Sequence, residues 1–151
     1  MMEKGAILKI DRSSYHLFAG LVHWRTTGRQ EPDPLPPSAS VLDELDNPNL
    51  RLYVASAEGT PAGWISLLYL PKVGKWNGRG HIYVDELWVA PPFRRRGLAR
   101  LLLAQAGELA REWDASGIRL YVNTENPAAQ SLYASAGFVP SGTACFMEKP
   151  V

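Results

Sequence analysis

The stretch that decides the architecture runs Val84-Asp85-Glu86-Leu87-Trp88-Val89-Ala90-Pro91-Pro92-Phe93-Arg94-Arg95-Arg96-Gly97-Leu98-Ala99. Its first part reads as a strand over His81–Val89, stopped by two prolines that cannot donate to a ladder. A basic turn follows, and a helix begins at or just before Gly97. Beyond that point Leu98, Leu101, Leu102, Ala106, Leu109 and Trp113 recur at spacings of three and four, the stripe of a half-buried helix. Gly117 reads as its stop. Free N–H groups at such a helix start, helped by the helix dipole, form an anion site. Gly97 and Ala99 keep the first turn bare, and the arginines add charge-assisted hydrogen bonds.

Working outward, the chain alternates between periods. Ala6–Ile10 reads as a short strand, and Ser13 or Ser14 caps a helix through Leu17, Leu21 and Trp24. Pro32, Pro34, Pro36 and Pro37 mark an extended loop, and Ser40 to Asp46 a second short helix. Leu50–Ala57 and Gly63–Leu70 read as strands joined by the turn Glu58-Gly59-Thr60-Pro61. Trp76 falls at the tip of the hairpin that leads into His81–Val89. Ile118–Val122 is a further strand. Asn126-Pro127 opens a helix, with Asn at the cap and Pro at the first helical position. Ala129, Leu132, Tyr133 and Ala136 make its buried face, and Gly137 ends it. Thr143–Lys149 closes as a last strand, giving an α/β order of β-α-α-β-β-β-α-β-α-β.

Composition narrows the class. The 151 residues are 46% apolar and 21% charged, enough for one self-sufficient core. The net charge of +1 sets up no global field toward nucleic acid or an anionic membrane, and no Walker or dinucleotide glycine pattern is present. No apolar run approaches the roughly 18 residues of a membrane span, and the first residues lack the core of a secretory signal, so a cytoplasmic protein is expected. The single cysteine, Cys145, lies between apolar neighbours and reads as a buried thiol. His16, His23 and His81 lack metal-ligand spacing, and no metal is expected.

Two blocks carry a family resemblance. Arg94-x-x-Gly97-x-Ala99 resembles the phosphate-loop signature of the GNAT superfamily of N-acetyltransferases. Asn126-x-x-Ala129-x-x-x-Tyr133-x-x-x-Gly137-Phe138 is similar to that family's second signature, and it follows in the right order. The resemblance implies one GNAT domain over residues 1–151, with a mixed, mostly antiparallel sheet of six to seven strands and about four helices. It also implies acetyl-coenzyme A as co-substrate, held by the backbone of Leu87, Trp88 and Val89 and by Arg94, Arg95, Arg96, Gly97, Leu98 and Ala99. Asn126 would meet the pantetheine arm. Dimerisation, common in the family, is implied in the same way.

The implied reaction moves an acetyl group to a primary amine within a ternary complex. The amine must lose a proton that a free alkylammonium holds to a pKa of about 10.4. Developing oxyanion charge needs donors, which the family takes from the backbone at Leu87 to Val89. The thiolate leaves more easily if protonated, a role that falls to Tyr133. Glu86 is read as the base and Asp85 as an amine contact. Strict alternation sets Glu86 with Ile82, Val84 and Trp88, but a bulge common at this strand leaves open which carboxylate faces the cleft. With Glu31 and Asp33 of the proline loop, these carboxylates favour a cationic small-molecule acceptor. A protein amine, a longer acyl group and a non-catalytic coenzyme A sensor stay open.

Overall fold

A computed structural model of the chain describes residues 5–30 and 36–151. It divides into two compact units, a larger one reaching Tyr121 and a smaller one from Val122 to Val151. The larger unit contains β1 (Ala6–Lys9), α1 (Tyr15–Thr27), α2 (Ala39–Asp43), β2 (Leu50–Ala57), β3 (Thr60–Leu70), β4 (His81–Val89), α3 (Leu98–Glu112) and β5 (Gly117–Arg119). The smaller contains α4 (Pro127–Ser135).

The strands form one sheet in the order β1-β2-β3-β4-β5, antiparallel except where β4 meets β5. β2 and β3 are joined by Glu58 and Gly59 at φ 54° and 76°. Both central positions therefore lie in the left-handed region, which a two-residue hairpin turn requires. The turn is two residues shorter than the sequence pattern suggests, and β3 starts correspondingly early at Thr60.

Pairing between β3 and β4 is interrupted once. Leu67 faces Val84 and Ser66 faces Glu86, so Asp85 is an extra residue in β4. A bulge of this kind inverts the side-chain alternation that follows it. Glu86 and Trp88 consequently share a face with Ser66 and Trp64, and not with Ile82 and Val84 as strict alternation implies. On that face Trp64 joins Leu52 and Val54 in a core closed by Leu21 and Trp24 of α1, with Phe18 and Trp88 packed against it. Phe18 and Trp64 meet edge to face at 5.3 Å between ring centroids. The opposite face carries Ile65, Leu67, Ile82 and Val84, all buried. There α3 packs across β2, β3 and β4, burying Leu98, Leu102, Leu103, Ala106 and Leu109.

Three expectations are corrected. The sheet has five strands, not six to seven, because β5 ends at Arg119 and Thr143–Lys149 makes no ladder. β5 follows β4 only as far as Tyr83 opposite Arg119, two residues before the bulge bends β4 away. The contiguous apolar run of the last segment would need cover on both faces to act as a strand. Phe146 and Met147 are instead exposed, and so is Cys145, expected to be buried. Finally, α3 ends before Gly117. Asp114 takes the left-handed turn at φ 48°, and Gly117 begins β5.

The close approach of β3 and β4 gives a stability test. A Cβ on Gly63 would lie 2.6 Å from the Trp88 carbonyl oxygen, whereas one on Gly20 in α1 meets nothing within 4 Å. Gly63→Ala is expected to lower unfolding stability by about 1–3 kcal/mol. Gly20→Ala is expected to raise it by about 0.5–1 kcal/mol through helix propensity. Urea denaturation of the two variants checks the contrast.

Candidate active site

The site is built on the far end of β4 and the turn after it. Once β5 has departed after Tyr83, the β4 edge away from β3 carries no ladder among the described residues. Apart from the Val89 carbonyl, which accepts from Arg94, the backbone of Asp85 to Val89 therefore keeps N–H and C=O groups available along that edge. Leu87, Trp88 and Val89 are paired on the other side with Ile65, Trp64 and Gly63, which holds the segment straight. Ala90 is fully buried, and its amide donates to the Ala62 carbonyl at 2.7 Å. That bond fixes where the strand gives way to the turn.

Pro91–Phe93 form a single 3-10 turn, and the arginines follow. Arg94 folds back, its Nε donating to the Val89 carbonyl at 2.8 Å. Arg96 lies 5.4 Å over the Phe93 ring and 3.8 Å from Glu58. Arg95 takes a left-handed φ of 63°, a conformation costing about 1–2 kcal/mol for a residue with a side chain. Among the described residues its side chain makes no hydrogen bond or ion pair. Gly97 occupies the cap of α3 at φ 80° and brings no side chain to accept from the first turn. The amides of Leu98 and Ala99 are left with no intrahelical acceptor. A strained cation beside uncapped amides suits a bound anion.

The two carboxylates differ in their surroundings. Glu86 Oε2 accepts from Arg25 Nη1 of α1 at 2.5 Å, with side-chain exposures of 44% and 49%. A pair this exposed contributes only about 0–1 kcal/mol, so its importance is electrostatic and positional. Arg25 also lies 5.5 Å over the Trp64 ring. Asp85 makes no side-chain hydrogen bond or ion pair among the described residues. Partial burial, and next the charge of Glu86, hold its carboxyl above the usual aspartate range. Tyr83 is raised by burial and by Asp85, and its ring meets Tyr121 at 6.1 Å.

In the smaller unit Asn126 caps α4, its Oδ1 accepting from the Ala129 amide at 3.1 Å. Tyr133 packs edge to face on Phe138 at 5.9 Å, and burial raises its phenol above the ordinary value of 10. It therefore keeps its proton at neutral pH. Ala129, Leu132 and Tyr133 are half-buried, while Ala136 is exposed. Glu31 and Asp33 lie outside the described residues. Among those described, no group of three or more acidic, His or Cys side chains is arranged to hold a metal, and no helix is long and apolar enough to cross a membrane. Arg25 escapes sequence reading because nothing local links positions 61 residues apart.

Comparison with known proteins fits this geometry. The sequence matches the acetyltransferase (GNAT) family over residues 18–138. The chain belongs to that family. It is 32% identical to the streptothricin acetyltransferase of Streptomyces lavendulae over 66% of this chain and 50% of that protein. Its fold is similar to an aminoglycoside acetyltransferase from an uncultured soil sample, solved with trehalose, at TM-score 0.81 and 15% identity over 97% and 96% of the two chains. It is also similar to an aminoglycoside N-acetyltransferase solved with CoA, at TM-score 0.72 and 20% identity over 97% and 100%. The chain spans between 28% and 65% of the length of the curated relatives it matches.

The cap of α4 is testable without any ligand. Asn126→Ala is expected to cost about 0.5–2 kcal/mol and to speed amide exchange at Ala129. Hydrogen exchange at that amide, unchanged in the variant, would show that the cap contributes nothing.

Proposed function

We propose that the chain is an acetyl-coenzyme A-dependent N-acetyltransferase, a single catalytic domain acting on the primary amine of a cationic small molecule. The observation that carries the reading is the continuity of two binding elements. An unpaired strand edge from Asp85 to Val89 runs directly into a bare helix start flanked by Arg95. An extended ligand with an amide-rich arm and a diphosphate end has complementary chemistry. Relatives named as acting on streptothricin or aminoglycosides support an amine acceptor.

Each residue then has a task. The amides of Leu98 and Ala99 and the guanidinium of Arg95 hold the diphosphate, helped by Arg96. Arg94 keeps the turn closed on Val89, and Gly97 keeps it bare. Backbone groups of Leu87, Trp88 and Val89 hold the extended arm and present a donor where negative charge develops. Acetyl-coenzyme A, when bound, supplies the activated thioester. Asp85 and Glu86 draw in the cationic amine, and one of the two carboxylates accepts its proton. Tyr133, protonated at neutral pH, donates to the departing thiolate. Asn126 keeps its Nδ2 for the arm while its Oδ1 caps α4.

Thiol release from acetyl-coenzyme A, measured with a panel of an aminoglycoside, a polyamine and an amino-acid amine, tests the reading. Turnover of at least one amine is expected, and none across the panel defeats it. Tyr133→Phe should lower kcat by about 10²-fold or more, with coenzyme A affinity kept within a few-fold. Unchanged kcat, with chemistry rate-limiting, would remove Tyr133 from its role. Gly97→Asp places a negative charge at the diphosphate. Calorimetry should find acetyl-coenzyme A binding weakened by tenfold or more.

A further inference from the structure

Asp85 and Glu86 are neighbours in sequence, but their charges are balanced differently. Glu86 has re-entered the ladder opposite Ser66, and its carboxylate meets the Arg25 guanidinium. Arg25 is held from behind by the buried Trp64 ring. Asp85 stands out of the ladder with no counter-charge of its own among the described residues, and Glu86 is the like charge acting on it. Tyr83 of β4 is a further titratable side chain that interacts with it, and Tyr121 beyond β5 lies against the Tyr83 ring. His23, two residues before Arg25, projects from the other side of α1.

We propose that Arg25 sets the proton affinity of the acceptor amine, cancelling Glu86 so that Asp85 alone takes the ammonium and then its proton. The proposal rests on the reading of these carboxylates as the amine site. Two uncompensated carboxylates would attract a cation strongly, but each would also raise its pKa by about 1–3 units. An amine kept charged has no lone pair with which to attack. With Arg25 in place the cluster carries one net negative charge, which still draws the cation and resists its deprotonation less. In the transfer an ammonium N–H bond breaks, an O–H bond forms on Asp85, and the electron pair stays on nitrogen. Asp85, solvent-exposed, then passes the proton to water. Glu86 and Arg25 are positioning residues in this scheme.

The test uses the full chain, acetyl-coenzyme A and an amine from the panel that the wild type acetylates. Arg25→Met keeps an apolar stem against Trp64 and removes the charge. It should move the rising limb of kcat against pH upward by about one unit, lowering kcat at pH 7 about tenfold. KM for the cationic amine should fall several-fold. Arg25→Lys should restore the wild-type limb. Glu86→Gln leaves Arg25 uncompensated and should act in the opposite sense, with a limb at lower pH and a KM raised several-fold. A uniform loss of kcat at every pH in Glu86→Gln would make Glu86 the base and overturn the proposal. So would an unmoved limb in Arg25→Met beside normal wild-type turnover. Absence of wild-type turnover with every amine overturns the underlying reading and this proposal with it.

Discussion

One surplus residue in β4 governs the arrangement of the site. Because Asp85 has no partner in β3, every side chain after it exchanges faces. Glu86 is brought to the α1 side, where Arg25 can reach it, and Trp88 is brought against Trp64 at 5.1 Å. Leu87 is sent the other way, opposite Ile65. The same bend separates β4 from β5 after Tyr83 and leaves the β4 edge beyond it without a ladder among the described residues. A regular strand of the same composition would have buried Glu86 against α3.

Rigid packing makes this irregularity sustainable. On one face α1 covers Trp64, and on the other α3 covers Ile65, Leu67, Ile82 and Val84. Each fully buried aliphatic side chain contributes about 1.5–3 kcal/mol, far more than the exposed Arg25–Glu86 pair. Packing therefore decides where β4 lies, and the ion pair decides what potential it presents. The left-handed backbone at Arg95 and Gly97 is held between the anchored Ala90 amide and the buried Leu98. Such strain persists where flanking structure over-determines it.

Much of this was legible beforehand. β2 and β4 have the bounds that their β-branched and aromatic runs indicate, and the spacing of Leu98 to Leu109 marks α3. Asn126 does cap α4, since an Asn-Pro pair at a helix start is a local signal. Local signals failed where the outcome depends on a partner. Thr143–Lys149 has strand-like residues without a ladder, and Cys145 is exposed because cover, not neighbours in sequence, determines burial. Gly117 resembled a helix stop, yet Asp114 made the turn.

Sequence by itself determined the order of the elements as far as α4, the basic turn Arg94 to Ala99 that opens α3 and the capped helix carrying Tyr133. These are short-range properties, set by periodicity and by the backbone preferences of Gly, Pro and Asn. Tertiary structure alone decided the faces of Asp85 and Glu86, the extent of β5 and the pairing of Arg25 with Glu86. A bulge is a mismatch between two strands, and an ion pair across 61 positions is a contact between elements. Neither exists until the chain has folded back on itself.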